Sequence, residues 1–239
     1  MQRDKILGII GGVGPLATVY FTEMLVRKTD AGADQEHINT ICFNHAAIPD
    51  RTAYILDNTK PNPGPVMVED AVLLERAGAD ILAIPCNTAH HFYKDIQGSV
   101  SIPVINMVEE AVKVARSRFG AGAGIGIMAT NGTIVADVYG KMCAQYGMKY
   151  VKPDEDGQKN VMKIIYEQVK AGNPVDYGLF MDIIEDMLHS GCSCVITGCT
   201  ELSIICSDLK LNRDDIIDSL DVLSDVCIES CGRRIRKKD

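Results

Sequence analysis

Two cysteines in this chain have the placement to do acid and base chemistry: Cys86, in Pro85-Cys86-Asn87-Thr88-Ala89-His90, and Cys199, in Gly198-Cys199-Thr200-Glu201-Leu202. Each follows a short apolar run that reads as a buried strand, and 113 residues separate them. A lone cysteine at a strand end is explained as well by core filling as by chemistry, because thiols pack as small hydrophobes. Packing gives no reason for the same residue at the same strand end twice. The repeat points to two opposed thiols sharing one substrate. Chemistry that needs proton-transfer groups on both sides of a carbon is stereochemical inversion: a thiolate removes a proton from one face and a thiol returns one to the other.

Both cysteines are expected where a helix begins, where unpaired amide groups favour an anion and lower a thiol pKa. Acid and base groups typically supply ~10²–10⁴-fold each, too little when the proton lies beside a carboxylate. Asn87, Thr88, Thr130, Thr133 and Thr200 are placed to hold that carboxylate and stabilise the charge developing on it. Arg51 and Thr52 follow Asp50 in a loop after the second strand. The planar fork of Arg51 suits a carboxylate, and a surface pair with Asp50 explains it equally well. Lys170 reads as a solvated helix terminus on spacing alone. His90 and His91, beside Cys86, suggest a Cys-His hydrolase, but an adjacent pair on a helix usually has one member buried and one solvated. His45 and His189 read as core or cap residues.

The elements that must position these side chains alternate strand and helix from end to end, the pattern of a mostly parallel α/β sheet flanked by helices. Strand Ile6 to Ile10, turn Gly11-Gly12-Val13-Gly14-Pro15 and helix Leu16 to Lys28 open the first half. Strand Asn39 to Phe43, helix Pro65 to Ala77 and strand Asp80 to Ile84 lead to Cys86. The second half repeats the order with strand Gly124 to Met128, helix Ile134 to Tyr146, strand Lys149 to Val151, helices Lys159 to Ala171 and Tyr177 to Ser190, and strand Cys194 to Thr197. A segment after each cysteine also recurs, Ile105 and Ile217 lying 112 residues apart. An internal duplication into two similar lobes follows. The expected division is 1–106 with 210–239 in one lobe, the last strand and helix returning to it, and 107–209 in the other. Ligands of open parallel sheets bind beyond the carboxyl ends of strands, so two facing lobes make one cleft. Gly12 to Ala17 fits the loose G-x-G-x-x-A dinucleotide fingerprint, but no acid ends the second strand. The glycines read instead as a tight turn letting backbone approach a small anion.

Composition narrows the classes. Of 239 residues, 46% are hydrophobic and 23% charged, which suits a globular chain with a substantial core. The net charge of −8 argues against a nucleic-acid partner, and the basic run Arg233 to Lys238 reads as a solvated helix end. Apolar runs such as Ala79 to Pro85 fall far short of the ~20 residues that span a bilayer. The amino terminus lacks the features of a secretory signal, so no membrane and a cytoplasmic location are expected. The nine cysteines are then expected to be thiols. Cys42, Cys143, Cys206, Cys227 and Cys231 read as packing residues. Cys192, Cys194 and Cys199 with His189 lack the paired knuckles of a zinc site.

Across nearly its whole length the chain resembles the aspartate/glutamate racemase family, most closely the cofactor-independent aspartate racemases. The likeness is carried by GGVGPLAT at Gly11 to Thr18, DQEH at Asp34 to His37, IPDRTAYIL at Ile48 to Leu56, PCNTAH at Pro85 to His90, ATNGTI at Ala129 to Ile134, YEQVKAG at Tyr166 to Gly172 and TGCTEL at Thr197 to Leu202. The resemblance implies two α/β lobes related by a pseudo-twofold, an active site between them, no pyridoxal phosphate or metal, and a homodimer. It implies that Cys86 and Cys199 are the base/acid pair and that Arg51 and Lys170 bind the substrate's side-chain carboxylate. Asn87, Thr88 and Thr200 match α-carboxylate contacts. The expected activity is interconversion of L- and D-aspartate, with glutamate as a possible second substrate. The competing expectations are a single-cysteine isomerase or decarboxylase of dicarboxylates, and an inactive amino-acid-binding homologue.

Overall fold

Ile6–Gly11 forms β1 because it is apolar on both faces and buried nearly throughout, as a central parallel strand under helices must be. The computed structural model describes residues 4–237. Met1 to Arg3, Lys238 and Asp239, which end the amino-terminal and basic segments considered above, lie outside the described residues. Strands β2 (Asn39–Asn44), β3 (Ile81–Ala83) and β4 (Val104–Ile105) join β1 in a parallel sheet of order β2-β1-β3-β4. Strands β5 (Gly124–Met128), β6 (Lys149–Val151), β7 (Cys194–Thr197) and β8 (Ile216–Asp218) form a second parallel sheet, β6-β5-β7-β8. The second order repeats the first strand for strand.

One expectation is corrected by this pairing. The last strand does not return to the first lobe: β8 pairs with β7, from Val195 opposite Ile216 to Thr197 opposite Asp218. It is the repeat of β4, which pairs with β3 in the same way. What crosses between the halves is helices. Helix α5 (Met107–Phe119), which follows β4, packs Val108, Ala111, Val112 and Ala115 against Ile125 and Ile127 of the second sheet. Helix α11 (Ser219–Ser230), which follows β8, carries Leu220, Leu223, Cys227 and Ile228 into the core formed by Leu7, Ile9 and Phe21.

The remaining helices are α1 (Pro15–Lys28), α2 (Arg51–Leu56), α3 (Gly64–Arg76), α4 (Tyr93–Ser99), α6 (Asn131–Ala136), α7 (Val138–Gln145), α8 (Glu155–Met162), α9 (Tyr177–His189) and α10 (Thr200–Asp208). The expected helix 134–146 is two, because Asp137 adopts a left-handed conformation at φ 53° and separates α6 from α7. The expected helix 159–171 is α8 continued by a π-helical turn, Lys163–Val169, a wider winding that often marks functional segments. The loop expected at Asp50-Arg51-Thr52 is the start of α2. Asp50 accepts from the Ala53 amide at 2.6 Å and caps it.

Two surface expectations also change. Residues 233–237 of the basic run form an extended strap, not a helix end, with Arg236 donating its amide to the Lys28 carbonyl at 2.7 Å and Ile235 bridging Thr29. Cys42 is exposed on edge strand β2, whose residues are exposed on both faces nearly throughout. Cys143, Cys206, Cys227 and Cys231 are buried free thiols. Among the described residues, no helix is long and apolar enough to cross a membrane.

The halves meet where α6 lies against α2. A Cβ on Gly132 would stand 2.6 Å from the Thr52 hydroxyl oxygen and 2.8 Å from the Thr52 Cα, so only glycine allows this approach. Gly132→Ala is expected to cost about 1–3 kcal/mol, the usual range for overpacking, and to lower turnover by shifting Arg51 on the same turn. Urea midpoints and steady-state rates check this; a variant matching the parent in both would show that the contact yields freely.

Candidate active site

Cys86 leaves the end of β3 through Ile84 and Pro85, its amide donating to the Ile84 carbonyl at 2.8 Å. The residues after it form a 3₁₀ turn, Thr88–Phe92, tighter than the expected helix. His90 fixes this turn. Its Nε2 accepts from the Met107 amide at 3.0 Å, so Nδ1 carries the proton and donates to the Cys86 carbonyl at 2.9 Å. Burial pushes the imidazole down to about 4, so it stays neutral and structural.

Cys199 is the residue that enters α10. Its Sγ donates to Glu201 Oε2 at 2.8 Å, and Lys170 Nζ, just beyond the π-helical turn, pairs with Glu201 Oε1 at 2.7 Å. Burial, then the neighbouring Glu201 charge and hydrogen bond, push the Cys199 thiol well above its ordinary range. This overturns the expectation that the helix start would favour a thiolate here. The helix's partial positive end is outweighed by loss of solvent and a carboxylate in contact. For Glu201, burial acts upward, but the Lys170 charge and the hydrogen bonds from Cys199 and Lys170 bring its carboxyl below the usual value. Burial likewise opposes the Lys170 charge, and Glu201 more than offsets it, leaving the ammonium above its usual value.

Both cysteines line one small cavity of about 20 Å³, together with Arg51, Thr52, Asn87, Thr88, Thr130, Lys170 and Thr200. That volume is roughly what one water needs, so an amino acid enters only when the halves part. Arg51 is 8% exposed. Its Nη1 reaches the carbonyls of Ile48 at 3.4 Å and Pro49 at 3.2 Å, and its buried Nε has no partner. Asp50 is occupied in capping α2, so the expected alternative, a surface pair between them, is not formed. Among the described residues no carboxylate pairs with Arg51.

Four hydroxyls join across the cleft. Thr130 lies 3.3 Å from Thr52 and 3.1 Å from Thr88, and Thr133 lies 2.8 Å from Thr88. Thr133 is the one expected contact outside the cavity lining; it holds Thr88 and Thr130 from behind. The glycine turn brings Val13 to the cavity. Gly12, at φ 81°, gives its amide to Thr18 Oγ1 at 3.0 Å, leaving that donor unavailable to an anion.

Besides Val13 and Asp50, two lining residues were not anticipated as site residues, Glu201 and Tyr166. Both lie inside the quoted motifs, TGCTEL and YEQVKAG. The signal for Glu201 was its position two residues after Cys199 at the start of a helix. A larger groove of about 830 Å³ lies beyond Tyr166 but contains neither cysteine. No group of three or more His, Cys, Asp and Glu side chains able to hold a metal occurs among the described residues.

Two repeated parallel α/β halves each bring a thiol to one small cavity. The chain belongs to the Asp/Glu/hydantoin racemase family, whose pattern matches residues 10–226. It is 26% identical over 220 residues to the broad specificity amino-acid racemase RacX of Bacillus subtilis (strain 168), covering 90% of this chain and 92% of that one. Its fold superimposes on the Picrophilus torridus aspartate racemase with a TM-score of 0.81 at 30% identity, covering 98% of this chain and 96% of that chain. A glutamate racemase from Thermus thermophilus in complex with β-chloro-D-alanine shares the fold at a TM-score of 0.62 and 20% identity, covering 96% and 82%.

Proposed function

We propose that this protein interconverts L- and D-aspartate, and more slowly the glutamate enantiomers, by two-base chemistry that uses Cys86 and Cys199 without pyridoxal phosphate or metal. The observation that carries this reading is the pair of thiols from separate halves opening on one cavity beside an unpaired buried guanidinium. Arg51, which no carboxylate of the described residues pairs with, is the cation offered to the substrate's side-chain carboxylate, and Lys170, paired with Glu201, lies at the same cavity to share it. In the resting form Cys199 holds its proton toward Glu201 and is the acid. Cys86 then takes the α-proton from one face, and Cys199 delivers its proton to the other. The charges and protons balance, because one thiolate and one thiol have exchanged places. Asn87, Thr88, Thr130 and Thr200 donate to the α-carboxylate as it gains electron density.

The test is proton NMR in D₂O with chelator-treated protein and a panel of amino acids. The α-proton signals of both aspartate enantiomers are expected to disappear, those of glutamate more slowly, and those of alanine to persist. Aspartate and glutamate signals that all persist would end the proposal. Product analysis with maleate and an arylmalonate identifies single-cysteine isomerase or decarboxylase chemistry, and calorimetric aspartate binding without exchange identifies a binding homologue.

A further inference from the structure

Tyr139 is the largest side chain buried below 2% exposure, and nothing in the proton-transfer scheme uses it. It sits on α7 in the second half and touches the turns of both cysteines. Its hydroxyl donates to Asn87 Oδ1 at 2.6 Å, on the residue after Cys86. Its ring lies against Gly198, the residue before Cys199, where an added Cβ would stand 3.1 Å from the ring. The chain of bonds continues past Asn87. Asn87 Nδ2 donates to Ser219 Oγ at 3.0 Å, and that hydroxyl donates to the Thr197 carbonyl at 2.7 Å, two residues before Cys199. A buried path thus runs from one cysteine turn to the other through Tyr139 on one side and Ser219 on the other.

The phenol can serve only one way here. Ser219 gives its hydroxyl proton to the Thr197 carbonyl and so accepts from Asn87 Nδ2, which turns the Asn87 oxygen to the phenol, and the neutral phenol donates to it. The Asn87 amino group is then turned toward Ser219, with its second N–H left over for a ligand. Without the phenol, the Asn87 oxygen would lose its partner and the amide would be free to flip, presenting an acceptor to an anionic substrate.

We infer that Tyr139 is a positioning residue for the two-thiol reaction: it sets the separation of the Cys86 and Cys199 turns and holds the Asn87 amide with its N–H groups available to substrate. This rests on the proposed racemisation. Small errors in the placement of reacting groups cost large factors in rate, so a residue that spans both turns acts on coupling between the thiols more than on folding.

Tyr139→Phe keeps the ring against Gly198 and removes only the hydroxyl. Aspartate racemisation in D₂O is expected to fall about tenfold, with a melting temperature near that of the parent. The diagnostic is the deuterium found in recovered substrate relative to product. That ratio is expected to rise several-fold, because a carbanion between misplaced thiols is requenched by the group that made it. A purely structural role would lower both exchange and inversion and leave the ratio unchanged. In an Asn87→Ser background, Tyr139→Phe is expected to add less than twofold, since its acceptor is gone. A parent rate in Tyr139→Phe, an unchanged ratio, or multiplying effects in the double variant would each overturn the inference. Ser219→Ala, which breaks the path at its other end, provides the same readouts if the phenylalanine variant does not fold. If the parent itself exchanges no amino acid, racemisation has failed and the positioning claim is read separately. Iodoacetamide labelling of Cys86 and Cys199, referenced to exposed Cys42, is then expected to accelerate about fivefold in Tyr139→Phe, and equal rates would overturn it.

Discussion

Cys86→Ala and Cys199→Ala are each expected to lower aspartate racemisation by about 10³-fold, within the range for one positioned acid or base. Each direction of inversion needs one thiol to take the proton and the other to return it, so neither single variant retains a complete route. Their residual chemistry is expected to differ. With Cys199 removed, Cys86 remains as the base, and α-proton exchange without inversion persists for the one enantiomer whose α-hydrogen faces it. With Cys86 removed, exchange depends on ionising Cys199, which burial and Glu201 hold above its ordinary value near 9. The exchange rate of Cys86→Ala therefore climbs as pH rises beyond 9. Adding Glu201→Gln removes the adjacent negative charge while leaving the Lys170 ammonium, which lowers the thiol pKa, so the same profile moves to lower pH. Chiral chromatography and NMR exchange across a pH series check both statements. Parent-rate racemisation in either alanine variant would eliminate the two-base account.

The parts of this site legible in the sequence are those fixed by local strand order. Cys86 and Cys199 follow β3 and β7 as their apolar runs implied, and the recurrent spacing reported the repeated sheet topology. The state of Cys199 was not legible, because it depends on Lys170, 29 residues earlier, arriving beside Glu201 across the cavity. Helix-start reasoning treats a thiol as if solvent and helix amides were its only surroundings; here a carboxylate and burial dominate. The place of β8 was hidden for a related reason: the expected division sent it to the first lobe together with α11, whereas β8 pairs with β7 and α11 alone packs on the first sheet. A strand's apolar run states that it must be covered, but not in which sheet it pairs, and Ile216 and Ile217 would satisfy either. Arg51 shows the same limit in reverse: spacing left an Asp50 pair and a substrate contact equal, and the capping bond from Ala53 to Asp50 separates them.

Arg51 carries the other large expected effect, one of opposite sign in stability and in activity. A guanidinium is charged at every accessible pH, and holding it buried without an anion costs stability. Arg51→Met retains most of the apolar stem and removes that charge. In the substrate-free protein the melting temperature is therefore expected to rise by a few degrees, roughly 2–4 °C for each kcal/mol recovered in a chain of this size. Activity moves the other way. Removing one partner of a buried charge pair typically costs about 2–5 kcal/mol, so kcat/KM for aspartate is expected to fall by ~10²–10³-fold, with KM raised and kcat lowered together. The two effects meet in one measurement: saturating aspartate is expected to raise the melting temperature of the parent through mass action and to leave Arg51→Met unmoved. A methionine variant that is less stable than the parent, yet is stabilised by aspartate to the same extent, would mean that the guanidinium packs rather than binds. The carboxylate it was assigned would then have to be held by Lys170 alone, in competition with Glu201.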